Sequence, residues 1–285
     1  LSLGLVWGIM AIGVYITFKV LDIPDMTVDG TFALGGCIVA ATITTGVNPV
    51  ISMVLAVICG MAAGLVTGIL HTKLKIPAIL AGILTMLAIY SIDLMIMGGK
   101  SNIGMAQFGN MKVTTVLDAI PEMLGLSAKM TNLTIGVVLA VAIIAVLYWF
   151  FGTEIGCLIR ATGINEDMVK AQGGNTQMMK ILGLIIANGL VAFSGALVSQ
   201  LQRYGDVGMG TGTIVIGLAS IIIGAVLLGK RSSFKVRLTS VFVGSMIYRV
   251  IIAIVLLLGF NPNNLKLLTA VLVIIALSMP VAREY

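Results

Sequence analysis

The costliest residue in this chain is Arg249. It stands about halfway along an apolar run, 238–259, where a charge costs at least ~3 kcal/mol unless it faces protein or water. Two roles fit its chemistry. As a structural residue it would pair with a carboxylate at similar depth, and Asp29 and Asp93 are the candidates. As a functional residue, with Tyr248 beside it, it would belong to a gate or receive a ligand carboxylate, which a planar guanidinium matches with two parallel donors. A carboxylate partner inside the protein is the expectation.

The second polar concentration is "PDMTVDGTF", which brings Asp25, Thr27, Asp29 and Thr31 together with Gly30 just before a short apolar run. Acidic groups beside a glycine at a helix start suggest exposed backbone and a water-filled vestibule on a translocation pathway. An ordinary polar turn at the inner surface would read the same way. Asn188, inside another apolar run, can hydrogen-bond between helices or touch a passing substrate; helix-to-helix bonding is the simpler reading. Glycines 60, 64 and 68 in "GMAAGLVTG" share one helix face open to close packing. The run "QLQRYGDVGMGTGT" (200–213) reads as a flexible external turn able to meet a partner.

Catalysis finds little support. His71 is the only histidine, and no carboxylate pair or nucleophile constellation recurs at helical spacing. "GAVLLGKRS" (224–232) fits G-x-x-x-x-G-K but has Arg231 where a phosphate loop needs Ser or Thr, and it ends an apolar run instead of following a soluble strand. No nucleotide site is therefore expected in this chain. Cys37, Cys59 and Cys157 show no CxxC spacing and no metal-ligating neighbours, and they read as small core residues.

These residues must be positioned by helices in a membrane. Of the 285 residues, 59% are hydrophobic and 10% are charged, and the mean hydropathy is +1.14, which places the chain among all-α polytopic transmembrane bundles. Spans are expected at about 1–20, 31–46, 50–70, 77–97, 132–151, 178–200, 213–229, 238–259 and 266–281, eight or nine in one domain covering 1–285. Each needs about 20 residues to cross about 30 Å of hydrocarbon, so the second and seventh are short and suggest broken or tilted helices. The first reads as a permanent span, not a cleaved leader. The connection 98–131 is expected outside, with a short surface helix.

If the spans alternate, Lys73, Lys75, Arg160, Lys170, Lys180, Lys230, Arg231, Lys235, Arg237 and Arg283 fall on one side with Lys19 near it, while Lys100, Lys112, Lys129, Arg203 and Lys266 fall opposite. The basic side is cytoplasmic, and the C-terminus lies there. This asymmetry accounts for the net charge of +6 and gives no reason to invoke nucleic acid.

On the same side lies "ATGINEDMVKAQGGNTQMMKI" (161–181). Asn165 is a good N-cap, Glu166 and Asp167 put negative charge in the first turn, and Gly173 with Gly174 stops the helix after about two turns. Ala161, Ile164, Met168 and Ala171 form one apolar face at helical spacing. Such a helix either lies on lipid or docks a cytoplasmic partner, with Glu166, Asp167 and Lys170 flanking the patch.

The run from "LIRATGINEDMVKAQGGNTQMMKI" through "SIIIGAVLLGK", with "IPDMTVDGTFALGG", "LAIYSIDLMIMGG" and "GSMIYRVIIAIVLLLGF", resembles permease subunits of bacterial ABC importers of the branched-chain amino acid and ribose class. Within that class it is most similar to the tryptophan and tyrosine permease group. One departure is visible: that group often carries an acidic residue after "IIG", where this chain has Ala225.

The resemblance implies a permease dimer in the bacterial cytoplasmic membrane, two cytoplasmic ATPase subunits that bind ATP and Mg, and an extracytoplasmic substrate-binding lipoprotein. Residues 165–172 would be the coupling helix, with Asn165, Glu166, Asp167, Met168 and Lys170 meeting the ATPase. It also implies an amino acid cargo, aromatic ones favoured, with nucleosides or sugars as the alternative. An ion-coupled secondary transporter is the reading from a different class.

Overall fold

The computed structural model describes residues 2–105, 128–228 and 233–258, together with 267, 269–271, 273 and 274. Apolar runs become helices because backbone groups surrounded by hydrocarbon must bond within their own segment. In chain order these are α1 (Ser2–Tyr15), extended by a π-turn at Ile16–Val20, α2 (Thr27–Thr44), α3 (Pro49–Thr72), α4 (Ala78–Ile96), α5 (Ala128–Phe150), α6 (Glu154–Ile164), α7 (Glu166–Ala171), α8 (Thr176–Gln202), α9 (Thr213–Leu228) and α10 (Phe234–Leu257). Among the described residues, seven segments are long and apolar enough to cross a membrane, and α9 is a shorter apolar helix.

Burial separates the centre from the periphery. The first span is 83% buried, α2 78% and α8 67%, whereas α3, α4 and the span at Leu133–Phe150 in α5 reach only 33%, 28% and 17%. Val54, Ile58, Leu84, Leu87, Val138 and Val141 are correspondingly exposed, which suits contact with lipid tails. At the centre, α8 packs against α1, α2 and α3. The strip Gly60, Gly64 and Gly68 lets α3 approach α8 closely: a Cβ at Gly60 would meet Ala192, one at Gly64 the Leu184 carbonyl, and one at Gly68 Ile181. The strip thus serves the bundle.

The helices alternate in direction. Ser194 Oγ donates to the Val6 carbonyl (2.7 Å) and Gly183 lies beside Leu21, so α1 runs antiparallel to α8. Where α8 ends, β1 (Asn102–Gly104) pairs antiparallel with β2 (Tyr204–Asp206), Asn102 facing Asp206. The expected external turn is thus partly a ribbon. At the other end Gly163 packs against the Val20 carbonyl so closely that a Cβ would collide, and the Arg160 guanidinium lies 4.7 Å from the Phe234 ring centroid. Lys19, Lys73, Lys75, Arg160, Lys170 and Lys180 gather at this basic end.

Several expectations are corrected. The second span runs from Thr27 to Thr44, not 31–46, and Asp29 stands in its first turn. An unexpected helix, α6, precedes α7, so Ala161 and Ile164 belong to a different helix from Met168 and Ala171. The supposed apolar face therefore does not exist: Ile164 and Met168 are exposed, and Val169 is the buried residue of α7. Only Cys37 is a core cysteine, since Cys59 and Cys157 are exposed. The expected surface helix in 98–131, most of the ninth span, and Lys230 and Arg231 lie outside the described residues.

Candidate functional site

Two helices begin in the interior, and each N-terminus faces a carboxylate. The chain leaves α1, turns through Pro24 and Asp25, and starts α2 beside Asn188, near the middle of the 27-residue α8. Asp25 accepts from the Thr27 backbone N–H (2.9 Å) and from Asn188 Nδ2 (2.8 Å). Asn188 also donates to the Leu184 carbonyl (3.1 Å), and its Oδ1 accepts from Thr31 Oγ1 (2.9 Å). Thr27 Oγ1 is 2.7 Å from Thr67 Oγ1, which donates to Thr85 Oγ1 (2.9 Å). One hydrogen-bonded cluster therefore ties together α2, α3, α4 and α8.

Asp25, Thr27, Thr31 and Asn188 are completely buried. This corrects the open vestibule expected at Asp25, Thr27 and Thr31. A buried polar group is tolerable when its bonds are made internally, and here they are. Asn188 acts between helices, as its chemistry suggested.

The second interior N-terminus belongs to α9. Asp29 Oδ2 accepts from the Gly212 N–H (2.9 Å), and Oδ1 accepts from Thr213 Oγ1 (2.7 Å) and the Ile214 N–H (2.9 Å). A side chain of one helix thus caps the start of another, where orphan amides and the helix dipole favour an anion. The acid that looked available to neutralise Arg249 is already satisfied.

Arg249 has a different neighbour. Its guanidinium carbon stands 3.9 Å from the Trp7 ring centroid, and Trp7 in turn packs on Phe32 with centroids 4.9 Å apart. Among the described residues, the ion pairs shorter than 4.0 Å all involve Lys170 or Lys180 with Glu166 or Asp167. The expected pairing with Asp29 or Asp93 is therefore replaced by a cation–π contact, which a weakly hydrated guanidinium makes well. Arg249 lines a cavity of about 400 Å³ with Trp7, Thr211, Gly212 and Ile252. Tyr248 instead is buried with Ala219 and Ile252 and does not line that cavity.

On the opposite side of the 208–212 turn is a cavity of about 240 Å³, bordered by Asp29, Tyr90, Asp93, Gly208 and Thr211. The turn separates a cavity holding a cation from one holding acids. Nothing in the spacing of Trp7, Thr67, Thr85 or Thr211 marked them beforehand, because their roles come from contacts between distant segments. The one local signal was the glycine-rich "GMGTGT".

The basic end carries the other candidate. Asn165 Oδ1 accepts from the Met168 N–H (3.0 Å) and caps α7, and Gly173 at φ 81° ends it. Glu166 ties α7 to α8: it accepts from Thr176 Oγ1 (3.0 Å) and pairs with Lys180 (2.7 Å) and Lys170 (3.2 Å). The Lys180 hydrogen bond, with help from Lys170 and Thr176 and against partial desolvation, holds the Glu166 carboxyl down at about 2. Val169 is the buried anchor, while the Asp167 side chain is 96% exposed. The result is a rigid knob that offers Asp167 and Met168 outward.

Comparison with known proteins follows the same outline. The family described as the branched-chain amino acid transport system permease component matches residues 1–277. A tyrosine transport system permease protein of Clostridioides difficile (strain R20291) is 42% identical over 271 residues, covering 95% of this chain and 86% of that protein. The ribose import permease protein of Escherichia coli (strain K12) is 24% identical over 262 residues, covering 92% and 74%. The galactofuranose transporter permease protein of the same strain is 27% identical over 274 residues, covering 95% and 75%. No solved structure matches the chain.

Proposed function

The chain belongs to the family of branched-chain amino acid transport permease components, and from that premise we propose that it is the membrane subunit of an ATP-driven, binding-protein-dependent importer of amino acids, aromatic ones favoured. It works as a dimer with two ATPase subunits that bind ATP and Mg, and with an extracytoplasmic substrate-binding lipoprotein. The basic end and the C-terminus face the cytoplasm, in keeping with the lysines and arginines gathered there. The observation that carries this reading is α7: a capped helix with its own buried anchor, ion-paired to the start of α8. A rigid attachment of this kind transmits displacement into the bundle better than a flexible loop.

On this reading Asn165, Glu166, Asp167, Met168 and Lys170 form the ATPase contact. Asp25, Thr27, Asp29, Thr31 and Asn188 then hold the two interior helix starts that bound the pathway, and Arg249 borders it. The aromatic preference rests on the tyrosine permease relative; sugars and nucleosides are the competing cargo because the more distant relatives include sugar permeases. Calorimetry on the cognate binding protein tests the choice. Tight binding of an aromatic amino acid is expected, and tight sugar binding without amino acid binding would overturn it.

A further inference from the structure

Two carboxylates border the cavity between α2, α4 and the 208–211 turn, and they are not equivalent. Both oxygens of Asp29 are occupied by the α9 cap. Asp93 is 1% exposed, and among the described residues neither of its oxygens has a hydrogen-bond partner. Burying a charged carboxylate without donors is unfavourable, so a charged Asp93 needs a cationic donor that the described residues do not supply.

The surroundings narrow the chemistry of that donor. Tyr90 lies three residues earlier on α4, on the same helix face, with its ring half exposed at the cavity edge. It can face a cation as Trp7 faces Arg249. Among the described residues no group of three His, Cys, Asp or Glu could hold a metal ion, and a single free carboxylate is a poor site for a divalent cation that wants six or more oxygens. A cavity of about 240 Å³ is smaller than the usual whole-ligand pocket of about 300–1,000 Å³, so it admits one end of a ligand. An ammonium group, with three donors and one charge, meets all of these conditions.

We propose that Asp93 is the ammonium-binding residue of a substrate subsite between α2, α4 and the Gly208–Thr211 turn, taking the α-amino group of an amino acid in transit. Asp93 stands in the last turn of α4, at the ribbon end of the bundle, where cargo arriving from the binding protein first meets the permease. This assignment rests on the importer reading above.

The test uses the full chain in lipid nanodiscs, with thermal unfolding followed in the presence of tyramine, 3-(4-hydroxyphenyl)propanoate or sodium chloride at matched ionic strength. Tyramine is expected to raise the midpoint by several degrees, the carboxylate analogue and sodium are not, and Asp93→Asn is expected to abolish the tyramine shift. Should Asp93→Asn fail to fold, Tyr90→Leu serves instead and should reduce the shift. An equal tyramine shift in wild type and variant, or a sodium shift as large as that of tyramine, would overturn the proposal. Uptake of labelled L-tyrosine by the complete transporter, measured alongside, separates the two levels. Uptake without an Asp93-dependent amine shift sinks this subsite and leaves the importer reading standing, while absence of amino acid uptake sinks both the cargo and the identity of the amine.

Discussion

Glu166 at the basic end and Asp25 in the interior are both carboxylates that join separate helices, yet they are satisfied by different means. Glu166 is partly solvated and uses full charges, pairing with Lys180 and Lys170. Asp25 is completely buried and uses neutral donors, the Thr27 N–H and the Asn188 amide. Asp29 goes further and takes its donors largely from a helix N-terminus. Long cationic side chains are easily placed where water can share their solvation; inside the bundle, backbone amides and Asn or Thr side chains satisfy an acid's oxygens without burying a second ion. Loss of a partner should therefore cost most in the interior and least at the surface.

The largest effect is expected for Asn188→Leu, which keeps the branching and heavy-atom count of the native side chain but strips Asp25 of one donor and Thr31 of its acceptor on α8. Destabilisation of about 3 kcal/mol is predicted, read as a lowered unfolding midpoint in nanodiscs. A neutral result would mean that water replaces Asn188 and that the cluster is open. Asp29→Ala comes next. Removing a cap that accepts three hydrogen bonds should cost about 2 kcal/mol, with faster hydrogen exchange at the Gly212 and Ile214 amides, and Asp29→Asn should recover part of both. Slow exchange at those amides in the alanine variant would show that α9 does not depend on α2 for its start.

The smallest effect belongs to Glu166→Gln, expected to cost less than about 1 kcal/mol because solvent screens the pair. Its pH dependence has a definite sign. The folded carboxyl titrates at about 2, below the ordinary glutamate value of about 4.3, so its contribution is complete above that ordinary value and is lost as pH falls through about 2. Stability differences between wild type and Glu166→Gln should accordingly be flat from neutral pH to about pH 5 and shrink below it; a difference that shrinks near neutrality would place the titration elsewhere.

The split between the regions also marks what could be read from the chain alone. The α7 knob is local: Asn165, Glu166 and Gly173 lie within nine positions, so cap, first-turn acid and stop could be recognised together, although α6 next to it was hidden because its eleven residues, interrupted by Gly156, Arg160 and Gly163, are too short to read as a span. Span number and the shortness of α9 followed from hydropathy. The interior cluster was legible only as a list of polar residues, since what Asp29 does depends on Gly212 and what Asp25 does depends on Asn188. Arg249 shows the limit most clearly. Its cost in lipid was plain, but a carboxylate was the obvious remedy, and an aromatic ring at Trp7, far away in sequence, is what the fold provides.

The central claim, that α7 carries the ATPase contact into the bundle, is tested most directly by replacing residues 165–170 with Gly and Ser in the complete transporter and measuring ATP hydrolysis stimulated by loaded binding protein. The segment lies outside the interior clusters, so the permease should still insert and assemble its helices. Loss of the stimulated hydrolysis, with insertion unchanged, is the predicted result. Undiminished stimulation in that variant would contradict the account.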